Sequence, residues 1–69
     1  MSARLLVLNA DQELCSQIAR LRHESGLYRD LGRSWRIVRD YKAAARNDLR
    51  ADRLEREADR LQVERRAWA

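Results

Sequence analysis

Apolar residues recur along this chain three or four positions apart. They fall at Leu14, Ile18 and Leu21, then at Leu27, Leu31, Trp35 and Val38, and again at Leu54, Ala58 and Leu61. That is the period of helices that each bury one stripe. The longest continuous apolar run is Leu5-Leu6-Val7-Leu8, which fits a short strand over 4–8 or a buried lead-in. Asn9 is a suitable N-cap, with Gln12 in the capping-box position and Asp11 and Glu13 near the positive helix end. The pattern predicts a first helix from about Ala10 to Glu24, closed by Ser25-Gly26 with Gly26 as the residue after the cap. A short helical segment over 27–31 then leads, through a bend near Gly32, into a longer helix.

That longer helix is expected from Ser34 to Trp68, a stretch free of Pro and Gly and rich in strong helix formers. At ~1.5 Å per residue it would be roughly 50 Å long. Its first half presents Trp35, Val38, Tyr41 (or Lys42), Ala45 and Leu49, and its second half Ala51, Leu54, Ala58, Leu61 and Trp68. The five-residue step from Leu49 to Leu54 turns the stripe by about 140°, so the halves are expected to face different partners. Leu54, Leu61 and Trp68 are seven apart, as in a coiled-coil seam. The expected fold class is all-α: one domain over 1–69, a helix–turn–long-helix hairpin that dimerises. A second copy would supply burial that 69 residues alone supply poorly.

Composition narrows the function. Lone Cys15 excludes an intramolecular disulfide, and its place in the first stripe reads as a core thiol. His23 is the single histidine, read as a favourable charge near a helix end. No phosphate loop, metal-ligand spacing or nucleophile–base pair is visible, so neither an enzyme nor a cofactor is expected. No apolar run approaches the ~20 residues of a membrane span, and 5–8 is too short for a signal-peptide core. A cytoplasmic protein without a membrane partner is expected, from a bacterial or phage source.

Net charge is +4, from 15 basic residues, all Arg but Lys42, and 11 acidic ones. Arg29, Arg33, Arg36, Arg39, Lys42, Arg46, Arg50 and Arg53 form a basic ridge suited to phosphates. Acidic residues interleave with it, and Arg20–Glu24, Arg36–Asp40, Asp52–Arg56, Arg53–Glu57 and Arg60–Glu64 read as solvated i, i+4 pairs.

The run from Arg4 to Ala45 resembles a ribbon-helix-helix DNA-binding domain: a short strand, Asp11-Gln12-Glu13-Leu14, then Ile18, Leu21 and Gly26, with Gly32 to Arg39 similar to the opening of that family's second helix. The resemblance implies a dimer whose paired strands read the major groove. The strand here has few polar side chains, and 26–34 is longer than the family's usual connection. Leu5 to Gly26 is also similar to the first strand and helix of response-regulator receivers, with Asn9 and Ala10 where that family has an acidic pair.

The expected function is a non-catalytic protein–protein interaction module: a small homodimeric helical adaptor, or an inhibitor or regulator of a larger protein. Its contacts would be Leu49, Leu54, Ala58, Leu61 and Trp68. The alternative is a dimeric DNA-binding regulator using Arg4, Arg33, Arg36 and Arg39 on nucleic acid.

Overall fold

The structure, a computed structural model, describes the backbone of residues 3–67 and the surroundings of side chains from Leu6 to Ala67. Two helices account for nearly all of it. Helix α1 spans Ala3–Ile37 and helix α2 spans Tyr41–Ala67. They pack antiparallel into a rod of 56 × 15 × 11 Å. Its radius of gyration is 16.2 Å, against about 11 Å for a compact domain of this length.

The architecture is the expected all-helical hairpin, with its turn moved. The run 4–8 is part of α1 and not a strand. Asn9 therefore caps nothing. Helix α1 also continues through Ser25 and Gly26, and neither glycine has a positive φ. Ser25 is buried, and its hydroxyl proton is shared between the Ala51 carbonyl at 3.2 Å and Glu55 Oε1 at 3.0 Å. A residue that reads as a helix stop in sequence is thus a contact across the seam. Two glycines in a helix cost about 1 kcal/mol each. The packed partner helix outweighs that, as it does for most helices in proteins.

The turn lies inside the segment expected to be uninterrupted. Arg39 adopts a left-handed conformation with φ 62°. The Asp40 N–H donates to the Trp35 carbonyl at 2.9 Å and the Arg39 N–H to the Arg36 carbonyl at 3.0 Å. Those two bonds define a Schellman motif with Arg39 in the place usually held by glycine. Asp40 then caps α2, its Oδ1 accepting from the Ala43 N–H at 3.0 Å. Ser34, expected to open the long helix, instead lies in the last turn of α1, where its hydroxyl donates to the Asp30 carbonyl.

The seam is built from heptads of small residues. Ile18, Ser25 and Gly32 on α1 face Ala58, Ala51 and Ala44 on α2, seven apart in each helix. Ala43, Ala44, Ala51 and Ala58 are buried, and Leu61 joins Ile18 in a core cluster flanked by Leu14 and Leu21. A Cβ on Gly32 would come within 2.5 Å of Asp48 Oδ1, the end of a side chain paired to Arg36, and 3.4 Å of the Ala44 carbonyl oxygen, so a side chain there would have to displace Asp48. Gly26 faces open space.

This seam also corrects the expected change of face. Ala51, Ala58 and Leu61 are buried against α1, and Leu54 is partly buried. The second half of α2 therefore has a partner in its own chain. Val38, Tyr41 and Leu49, expected in the intramolecular stripe, are exposed.

Candidate functional site

Each long edge of the seam has its own chemistry. On one edge Arg22, Arg29 and Arg36 stand seven apart on α1 and reach acidic residues of α2. Arg22 meets Asp59 at 3.3 Å, and Arg36 pairs with Asp48. Arg29 forks between Asp52 at 2.9 Å and Glu55 at 2.8 Å, with its Nε donating to Glu55 Oε1 at 3.0 Å. Arg65 and Asp11 close the open end of the hairpin at 2.7 Å. The hydrogen bonds from Arg29 and then from Ser25 hold the Glu55 carboxyl below the usual glutamate range. Bonding to Glu55 and Asp52 in turn raises Arg29. These groups are half-exposed, so the ladder fixes register more than it adds stability.

Leu14, Leu21, Leu54 and Tyr28 lie partly buried beside the seam. The Arg50 guanidinium sits 5.7 Å from the Tyr28 ring centroid. Glu24, Tyr28, Arg50, Arg53 and Leu54 line a shallow depression of about 230 Å³, below the ~300 Å³ at which small-molecule sites begin. Next to it, Leu27, Leu31 and Trp35 follow at four-residue spacing and are 40–51% exposed. This is an apolar face that the hairpin does not cover.

The expected contact residues are scattered. Ala58 and Leu61 are buried within the chain, Leu54 is partly buried in the depression, and Leu49 is exposed. Trp68 lies outside the described residues. Arg33, Arg36 and Arg39 gather at the closed end, whereas Arg4 lies in the first turns of α1, roughly 45 Å away along the helix. Of the expected i, i+4 ion pairs, Arg60–Glu64 forms at 4.0 Å; Arg36 turns to Asp48, because Asp40 is engaged as a cap. His23 is exposed in mid-helix, so its expected place at a helix end is corrected. Cys15 is half-buried, beside Arg65.

Sequence reasoning missed the exposed face of Leu27 and Leu31, which it took for core, and the prominence of Ile37 at the turn. The seven-residue spacing of Arg22, Arg29 and Arg36 was a readable signal for the ionic edge. Among the described residues no group of three His, Cys, Asp or Glu is arranged to hold a metal ion, and no helix is long and apolar enough to cross a membrane. The chain matches no protein-family model, no curated protein and no solved structure.

Proposed function

We propose that the hairpin is a non-catalytic protein–protein interaction module that pairs with a second copy of itself and presents helix faces to a larger partner. The observation that carries this reading is the uncovered face of Leu27, Leu31 and Trp35 beside the Tyr28 depression. The accessible surface is 5552 Å², about 1,000 Å² above that of a compact monomer of this mass. A standard interface covers about 800 Å² per partner, and one long face of a 56 × 15 Å rod offers an area of that order. An interface on the outer face of α1, rather than on the set Leu49, Leu54, Ala58, Leu61 and Trp68, is supported by the burial of Ala58 and Leu61 within the chain. A ribbon-helix-helix mode has no ribbon to work with, because 4–8 is helical.

Light scattering on the full chain tests the proposal. The expected result is a dimer that Leu27→Asp with Leu31→Asp converts to a helical monomer. A monomeric unaltered chain, or a double variant that keeps the dimer mass, refutes the self-pairing.

A further inference from the structure

The closed end of the hairpin concentrates two properties. Ile37 and Val38 protrude there, 81% and 64% exposed, and Tyr41 is 65% exposed beside them. Over residues 30–48, the same end of both helices, five basic side chains stand against Asp30, Asp40 and Asp48, a net +2, with Arg36 paired to Asp48. Arg33, Arg39, Lys42 and Arg46 are exposed and take part in no ion pair among the described residues.

We infer that this tip docks on an anionic lipid bilayer, with Ile37 and Val38 entering the interface and the basic side chains meeting acidic headgroups. The shape favours lipid. The apolar residues form a protrusion at the end of a rod, and the cations stand on both helices and in the turn, so a flat anionic surface meets them together. Arg46, the farthest of these four cations from the turn along α2, is seven residues from Arg39, roughly 10 Å. Tyr41 supplies the aromatic ring found at headgroup level. Nucleic acid would answer the charges but leave Ile37 and Val38 facing phosphate. The contact is peripheral, independent of the α1 face assigned to self-pairing, and needs no membrane-spanning helix, of which the described residues hold none.

Each basic side chain near an anionic surface raises partition by about fivefold. Flotation of the full chain with phosphatidylcholine vesicles, with and without roughly 30% phosphatidylserine to make the surface anionic, reads this directly at low salt. The expected result is at least about 25-fold stronger binding to the anionic vesicles, and release at high salt. Ile37→Asp with Val38→Asp should abolish binding. Lys42→Gln with Arg46→Gln should weaken it about 25-fold. Both pairs are exposed, and circular dichroism checks that helicity is kept. Leu27→Asp with Leu31→Asp should still bind, if more weakly through lost avidity. No binding to anionic vesicles overturns the inference. So does vesicle binding that survives Ile37→Asp with Val38→Asp, or tighter binding of the unaltered chain to duplex DNA or an acidic peptide than to the vesicles.

Discussion

Replacing Arg39 by glycine separates two architectures by the sign of one stability change. In the structure Arg39 has φ 62° at the end of α1, with its N–H and that of Asp40 closing the Schellman motif. A left-handed conformation costs a residue with a Cβ about 1–2 kcal/mol. Glycine escapes that cost but loses about 0.5–1 kcal/mol through its more flexible unfolded chain. The net expectation is a gain of about 0.5–1 kcal/mol, or roughly 2–8 °C in melting temperature for a domain of this size. In an uninterrupted helix over 34–68, the same change would sit mid-helix and cost about 1 kcal/mol. Thermal unfolding at matched protein concentrations reads the sign, matched because self-association makes the midpoint concentration-dependent. A lower melting temperature for Arg39→Gly would refute the turn.

Three further outcomes follow from the same geometry. Gly26→Ala should stabilise by about 1 kcal/mol in urea unfolding, because Gly26 is helical and a methyl group there meets nothing within 4 Å; if Gly26 ended a helix in the left-handed region, alanine would destabilise instead. Ala51→Leu should destabilise by about 1–3 kcal/mol, since Ala51 is fully buried opposite Ser25, and an unchanged urea midpoint would show that the seam is not closely packed there. Glu55 has its pKa lowered by Arg29 and Ser25, so its contribution is complete above the unfolded glutamate value of about 4.3 and is lost as pH falls through the lower folded value. The urea midpoint should drop in that acid window, and Glu55→Gln should flatten the drop; an identical acid limb in the variant would contradict the assignment.

The helical class was legible because apolar spacing reports period, and the period is right in both halves. The turn was not, because the usual signals point elsewhere. Ser25, Gly26 and Gly32 look like breakers, yet Ser25 and Gly32 are where the two helices approach, and Gly26, facing open space, simply continues α1. The real break has Arg39 in a glycine position and is marked only by Asp40, a cap that also fits an ion pair with Arg36. The core was misread for a related reason. The apolar spacing puts Ala45 into the stripe where Ala43 and Ala44 are buried, and it assigns Ala51, Ala58 and Leu61, though a stripe in sequence too, to a partner outside the chain. Of the candidate sites, the basic cluster at Arg33, Arg36 and Arg39 was visible in the sequence. Its union with Ile37 and Tyr41 at one end depends on the turn.

The antiparallel register sets Asp11 against Arg65 and Ser25 against Ala51. Spin labels at Glu13→Cys and Val63→Cys test it, in a Cys15→Ala background diluted with unlabelled chain to remove intermolecular distances. The register places these two positions at the same height on neighbouring helices, whose axes in packed pairs are roughly 8–10 Å apart. It places Glu13→Cys and Lys42→Cys roughly 35 Å apart along the rod. A short first distance and a long second one are the predicted result. A long distance from 13 to 63 with a short one from 13 to 42 would mean that the chain folds back near Gly26, and would contradict the account.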